Sequence, residues 1–516
     1  KIAAVSGDTV TVISDSELEK LLKDGGIKKR VHDFKNLSKK YPDIAGVSFD
    51  TMLAAYLCNP SASSYATDRI IAEYAPYEPE IEGETDEFIK NACLFSLACD
   101  TLENELEKTG QKKLFDEIEL PLARVLGEME LCGFSADVNG LKALSSELDT
   151  RIKALESEIY SLVGYEFNLN SPKQLGVALF EKLGLPAKKK TKSGYSTGAE
   201  VLEGLKNEHP AVSLLLNYRQ LAKLKSTYAD GLQDCIAEDG RIHSTFNQTE
   251  ARTGRISSLE PNLQNIPVRT AEGRRLREYF NAPAGRLLCD ADYSQIELRV
   301  LASMSGDTNM INAFGSGTDI HTATASQVFG LPQDMITPEL RSRAKAVNFG
   351  IVYGIGAFSL SKDIGVTRAE ADRYIKSYLA AYPDVAAYME KAIDDAKKNG
   401  YVTTLYGRRR YIPELSNSNG NMRAFGERVA RNAPIQGTAA DIIKIAMIKV
   451  SRSLKDEFPT ARLILQVHDE LIVECDEKDA EGVCALLEKE MESAADLAVR
   501  LTAEAHFGKT WLEAKA

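Results

Sequence analysis

Apolar and polar positions change period along this chain, and each change marks a region. At the start, Val10-Thr11-Val12-Ile13 alternates as a half-buried strand does, amphipathic segments follow, and an apolar stretch runs from Met52 to Leu57. A small α/β unit over residues 1–100 is expected. From Leu102 to about Arg241 the period is helical almost throughout, with heptad-like runs over 141–162 and 212–232 that predict antiparallel helices. Between those runs, residues 188–197 form a basic, glycine-containing stretch suited to touching a backbone from the tip of a helical arm. After Arg241 short strands alternate with helices, the pattern of an α+β domain.

Candidate chemistry lies in that last region. Arg286-Leu287-Leu288-Cys289-Asp290-Ala291-Asp292-Tyr293 reads as a short apolar strand running into Asp292, with a helix expected over 294–303. Far downstream, two apolar strands, Leu463 to Val467 and Leu471 to Glu474, are separated only by His468-Asp469-Glu470, which reads as a tight hairpin with its acids at the turn. Two such carboxylates, brought together by folding, can hold two magnesium ions about 4 Å apart that activate a hydroxyl and stabilise a leaving pyrophosphate. The alternative is a turn acid and a strand-end acid with no common purpose.

Two polar stripes accompany the acids. Thr337-Pro338-Glu339 is a helix start, with Thr337 as N-cap and Pro338 at the first helical position. Along the helix that follows, Arg341, Lys345, Phe349 and Tyr353 recur every four residues and share one face. The cations suit triphosphate oxygens and the aromatics suit an incoming base. In a second helical stretch over 423–450, Arg428, Asn432 and Gln436 are again four apart, and all three donate hydrogen bonds. Minor-groove acceptors occur at similar places on every base pair, so donors there test pair geometry without reading sequence. Pro434 is expected to kink this helix. An ordinary amphipathic helix and a solvated polar face are the alternatives.

Length and charge adjust this picture. A chain of 516 residues exceeds one hydrophobic core, so about three to five compact units are expected. The net charge of −12 runs against phosphate binding, yet the acidic excess gathers over 78–119. Basic clusters occur at 188–192, 274–277, 341–345 and 408–410. No apolar run reaches the ~20 residues of a membrane helix. The eight cysteines include no CxxC pair and read as small buried hydrophobes in a reducing cytoplasm. The chain begins at Lys1, so an upstream domain is expected.

Taken together, Asp292-Tyr293-Ser294-Gln295-Ile296-Glu297-Leu298-Arg299, the stretch from Arg341 to Gly354, and Val467-His468-Asp469-Glu470 resemble the three polymerase motifs of the family A DNA polymerases. Thr253-Gly254-Arg255 with Pro261-Asn262-Leu263-Gln264-Asn265-Ile266-Pro267 is similar too, so the resemblance runs from about Leu120 to the C terminus. It implies an α+β right hand of palm, fingers and thumb behind an exonuclease-like α/β domain. The expected parts are residues 1–100 exonuclease-like, 101–245 thumb, 246–298 and 424–516 palm, and 299–423 fingers. The resemblance further implies a nucleotidyltransferase of DNA replication and repair, a cytoplasmic monomer that binds primer-template DNA and deoxynucleoside triphosphates and uses two Mg2+ ions, with Mn2+ able to substitute.

Carried over residue by residue, the resemblance makes Asp292 and Asp469 metal ligands with the Tyr293 carbonyl assisting. His321, Arg341 and Lys345 become triphosphate contacts, Lys345 also the proton donor to pyrophosphate. Phe349 and Tyr353 become pocket aromatics, and Gln295 and Glu297 border the sugar. Arg255, Asn262, Gln264, Asn265, Arg428, Asn432, Gln436, His468 and Glu470 fall along the DNA.

Residues 1–100 depart from the family's proofreading pattern. Asp8 is followed by Thr9 and Val10 rather than completing an Asp-x-Glu pair, Asp33 follows His32 where an aromatic is expected, and 91–100 offers no Tyr-x-x-x-Asp. A vestigial exonuclease fold without metals is the expectation; an intact first motif lost by truncation is the alternative. Two competing functions remain: a non-catalytic nucleic-acid clamp, which Asp292 with Asp469 argues against, and a single-subunit RNA polymerase, which Glu297 beside the sugar argues against.

Overall fold

The structure, a computed structural model, describes residues 2–7, 9–77, 87–187, 190–191, 194–267 and 270–515. Asp8, residues 78–86 of the acidic stretch over 78–119, and the basic residues Lys188, Lys189 and Lys192 lie outside the described residues. The chain divides into two compact units: Lys1–Cys132, Thr245–Leu259 and Gly285–Phe507 form the first, and Gly133–Ser244, Glu260–Ala284 and Gly508–Ala516 the second.

The second unit is mainly helical. Its long helix, Val138–Val163, starts where Asp137 accepts from the Asn139 and Gly140 amides and stops at Gly164, whose φ of 91° suits glycine. It packs on Pro210–Lys223, continued by a wider turn over Leu224–Asp230, and encloses Ile159, Leu175, Leu202, Val212 and Leu215. Both predicted heptad runs are therefore helices. The basic cluster 274–277 is not a free phosphate track. Arg277 is buried with its guanidinium 4.2 Å from the Trp511 ring centroid, and Arg275 pairs with Glu147 at 2.8 Å.

In the first unit, the Val10–Ile13 alternation belongs to a strand, Thr9–Ile13, paired with Ile2–Ser6. The apolar stretch at Met52 is a helix, Thr51–Cys58, whose fully buried N-cap Asp50 accepts from the Phe34 amide at 2.7 Å. The functional core of this unit comprises β1 (Arg286–Tyr293), α1 (Ile296–Ser305), α2 (Ile320–Phe329), α3 (Pro338–Val352), α4 (Gly420–Glu457), β2 (Arg462–Val467), β3 (Glu470–Asp476), α5 (Ala480–Glu492) and β4 (Ala503–Gly508). The strands form one sheet in the order β2-β3-β1-β4. Leu288, Cys289 and Ala291 of β1 and Leu471, Ile472 and Val473 of β3 are fully buried, each large side chain contributing about 1.5–3 kcal/mol. α5 packs on β1, so the alternate β1 residues beginning at Cys289 face that helix, with the Cys289 thiol 3.5 Å from the Ala480 carbonyl.

Several expectations shift. α1 starts at Ile296 because Gln295, at φ 57°, makes a left-handed joint after the strand. Glu470 lies in β3 rather than the turn. The helix expected over 423–450 is longer, 38 residues as α4, and holds Pro434 inside it. Four cysteines, Cys58, Cys93, Cys132 and Cys235, are only partly buried. Among the described residues no helix is long and apolar enough to cross a membrane.

Candidate active site

The two expected metal acids meet through strand register. β1 and β3 run antiparallel with Asp292 opposite Glu470, and the Tyr293 amide donates to the Asp469 carbonyl at 3.2 Å. Asp469 therefore stands beside the Asp292 end of β1. The turn that delivers it is tight: His468 is left-handed at φ 55°, and Gln466 Nε2 donates to its carbonyl at 2.6 Å. The Tyr293 phenol is committed elsewhere, donating to the Met491 carbonyl at 2.6 Å, so only its main chain can serve the site. Two carboxylates and a carbonyl make an all-oxygen donor set suited to a hard divalent cation. Among the described residues no three His, Cys, Asp or Glu side chains gather to hold a metal.

A second cluster adjoins the first residues of α1. Glu297, 7% exposed, accepts from Arg255 Nη2 at 2.7 Å. With its amide oxygen turned inward, Gln436 of α4 accepts from Arg255 Nη1 and Nη2 at 3.1 and 3.2 Å. Tyr353 presents its hydroxyl to Glu297, and burial together with that carboxylate pushes the phenol up to about 12. Arg255 thus links Glu297 to Gln436. The pairings open to Glu297 on its own helix are not used: Arg299 instead donates from Nε to the Ser294 carbonyl at 2.7 Å. Gly354 follows Tyr353 at φ 64°, and a Cβ there would lie 3.3 Å from Arg428, so glycine lets α3 end close against α4.

The α3 stripe forms as expected. Thr337 accepts from the Leu340 amide at 3.3 Å. Arg341 and Lys345 are exposed, and the Phe349 and Tyr353 rings lie nearly parallel, 17° apart with centroids 6.4 Å apart. Arg341 forms a two-pronged pair with Asp319, Nε to Oδ1 at 2.9 Å and Nη2 to Oδ2 at 2.8 Å. His321 is fully buried, its ring 5.9 Å from Phe349. Thr324 donates to Asn348 Oδ1 at 3.2 Å, which turns the Asn348 amino group toward His321 Nδ1 at 3.0 Å. Nδ1 therefore accepts, and the ring proton sits on Nε2, which has no partner among the described residues. Burial, reinforced by Lys345 and Arg341 against an opposing Asp319, lowers this imidazole to about 4. It is a neutral donor.

On α4, Arg428 is exposed above the Phe425 ring at 5.7 Å, while Asn432 Oδ1 is buried without a partner among the described residues. Gln295 Oε1 is likewise buried without one. Asn262, Gln264 and Asn265 belong to the second unit, where Asn262 spends its side-chain oxygen on the Gln264 amide at 3.0 Å and the Asn265 carbonyl accepts from Tyr228 at 2.6 Å.

A buried ionic network went unseen in the sequence. Arg408, 4% exposed, donates from Nε to Asp441 Oδ1 at 2.8 Å and also pairs with Glu119. Lys444 donates to Glu119 at 2.7 Å, and Thr404 donates to Asp441 at 2.8 Å. The Arg408 head also packs under Gly254, where a Cβ would lie 2.5 Å from Nε, and so supports the loop that presents Arg255. Of the basic run 408–410, Arg408 is thus internal, and Arg409 lies over the Tyr401 ring at 4.3 Å.

Comparison with known proteins agrees with this geometry. The family model described as DNA polymerase family A matches residues 138–513, and that of the DNA polymerase I ribonuclease H-like domain matches 4–84. The chain is 44% identical over 527 residues to DNA polymerase I of Geobacillus stearothermophilus and 47% identical over 492 residues to that of Bacillus subtilis. These alignments cover 98% and 92% of the chain but only 60% and 56% of those relatives. A solved structure, the POL domain of Pol1 from M. smegmatis in complex with DNA primer-template and dNTP, is 41% identical at a TM-score of 0.90, covering 97% of this chain and 89% of that one. A sheet that brings Asp292 to Asp469, a helix carrying the Arg341 stripe and a family match over most of the length converge: this chain belongs to DNA polymerase family A.

Proposed function

We propose that this chain is a template-directed DNA polymerase that adds deoxynucleotides to a primer 3′-hydroxyl with release of pyrophosphate, in DNA replication and repair. The observation that carries the reading is the β1/β3 register, which sets the Asp469 turn against the Asp292-Tyr293 strand end. Those two carboxylates and the Tyr293 carbonyl are the residues to hold two Mg2+ ions, with Mn2+ able to replace them. When bound, such ions activate the primer hydroxyl and offset charge on the departing pyrophosphate.

The remaining groups have roles that the chain itself supplies. Arg341 and Lys345 draw the triphosphate to the exposed face of α3, and Lys345 protonates the leaving pyrophosphate. Phe349 and Tyr353 offer flat faces to the base pair, and Glu297, held by Arg255, covers the 2′ edge of the sugar. Arg428, Asn432 and Gln436 line one side of α4 toward the minor groove. Residues 246–298 and 424–516 act as palm, 299–423 as fingers and 101–245 as thumb, in a cytoplasmic monomer working on primer-template DNA.

The exonuclease-like region is read as inactive. Three of its described carboxylates serve the fold: Asp50 accepts from the Asp33, Phe34 and Met52 amides, Asp33 caps the helix Phe34–Lys40, and Asp100 pairs with Arg30. Burial pushes the Asp50 carboxyl up to about 6, against the lowering effect of those three amides.

Primer extension by the purified chain, with deoxy- and ribonucleotides offered separately, tests the reading. Asp292→Asn or Asp469→Asn should abolish extension while primer-template affinity persists; wild-type rates from either variant would refute the assignment. The same preparation should leave a mismatched primer end untrimmed in Mg2+, and trimming would overturn the inactive-exonuclease reading.

A further inference from the structure

The Asp319–Arg341 pair couples two helices at the nucleotide face. Asp319 is the N-cap of α2, and its Oδ1 accepts from the Thr322 amide at 2.8 Å and the Thr322 hydroxyl at 3.0 Å. The backbone therefore fixes this carboxylate before any ligand arrives. Arg341, in the first turn of α3, meets it edge to edge through Nε and Nη2. A guanidinium carries five N–H donors in one plane, and this pair occupies one edge of the fork. Nη1 lies outside the pair, and the Arg341 side chain is 45% exposed.

We infer that Asp319 is a positioning residue that grips one edge of the Arg341 guanidinium so that the opposite edge faces the triphosphate. The inference rests on the reading of Arg341 as a triphosphate contact. Its physical basis is preorganisation: a free arginine loses rotamer freedom on binding phosphate, and a head already held by a rigid carboxylate loses less. Asp319 would weaken nucleotide binding only if it had to let go first. A carboxylate that takes two of five donors leaves enough for a phosphate without release, so the geometry favours orientation over competition.

The test is a double-mutant cycle on single-nucleotide incorporation, reading KM for the dNTP and kcat separately. Asp319→Asn keeps an N-cap acceptor but loses the charged two-pronged partner. For a half-exposed pair the expected rise in KM is about 3–5-fold, with kcat little changed. In an Arg341→Ala background the same substitution should have no further effect, because the residue it acts through is gone. A role confined to capping α2 would give equal effects in both backgrounds and overturn the inference. So would an unchanged KM, or a lowered one, which would make Asp319 a competitor of the triphosphate. If Arg341→Ala alone leaves KM unchanged, the reading of Arg341 falls instead, and the two failures are distinct.

Discussion

Lys444→Met probes the network that the sequence hid. Glu119, Asp441, Arg408 and Lys444 are all buried and carry equal positive and negative charge. Methionine fills a similar volume but leaves two carboxylates facing one guanidinium. Burial penalises the ammonium, lowering Lys444 to about 8, so the variant regains some solvation energy. Stripping one partner from a buried pair nonetheless costs about 3–5 kcal/mol net. For a unit this large, each kcal/mol lowers the melting temperature by about 2 °C, so calorimetry should show a drop on the order of 5–10 °C. Adding Glu119→Gln restores charge balance and should recover most of it. The pH profile gives a second check. Burial pushes the Glu119 carboxyl up, but Arg408 and Lys444 outweigh it and hold it at about 2. Its folded value lies below the unfolded 4.5, so its contribution is present above 4.5 and lost as pH falls toward 2. Without Lys444 the folded value moves back toward 4.5, so the contribution should be smaller and its loss complete at a higher pH. A Lys444→Met transition matching wild type, or a double variant melting below the single one, refutes the reasoning.

Two further outcomes concern the nucleotide pocket. Glu297→Ala removes the acid that Arg255 holds and that we propose covers the sugar edge, and should relax discrimination against ribonucleotides by about 1–3 kcal/mol while deoxynucleotide incorporation falls less; unchanged selectivity in competitive extension would remove Glu297 from that role. His321, lowered to about 4 by burial, stays neutral across the working range, so KM for nucleotide should show no inflection near 6.5, and one that vanished in His321→Gln would contradict the neutral-donor assignment. The depressed value also has a stability sign. The unfolded imidazole binds a proton near 6.5 that the folded one refuses until about 4, so this histidine favours unfolding as pH falls through that window.

What the sequence made legible was local. Thr337 capping α3, the four-residue stripes on α3 and α4, and the hairpin around Asp469 all depend on neighbours within a few positions, where period and cap chemistry are decisive. Long-range partners were not legible. Glu297 has Arg299 two residues on, yet its partner is Arg255, 42 residues upstream. Arg408, Arg409 and Arg410 look equivalent in sequence, but one is locked among buried acids and the next lies on a tyrosine ring. Charge runs report composition, while burial is set by which distant segments fold over them. The resemblance to family A motifs supplied what periodicity could not, by linking Asp292 to Asp469 before any register was known.

One local feature also escaped, and it explains how the site is aimed. Gln295 and His468 have φ of 57° and 55°, in a left-handed region uncommon for residues other than glycine. Neither side chain announces such a backbone, as a glycine would. Both sit at the margins of the acidic pair: Gln295 turns the chain from β1 into α1 three residues after Asp292, and His468 turns it from β2 toward β3 immediately before Asp469. At each joint the sheet ends, so Asp292 and Asp469 stand at the strand margins while the strands themselves stay in the core. Gly254 and Gly354 make corresponding left-handed joints beside Arg255 and Tyr353, which both converge on Glu297. The four joints place Asp292, Asp469, Arg255 and Tyr353 at the margins of rigid elements, and the buried network under Gly254 holds one margin in place. Strained backbone at a site persists only where the surrounding structure over-determines it. At Gln295 and His468 the paired strands β1 and β3 are what over-determine it.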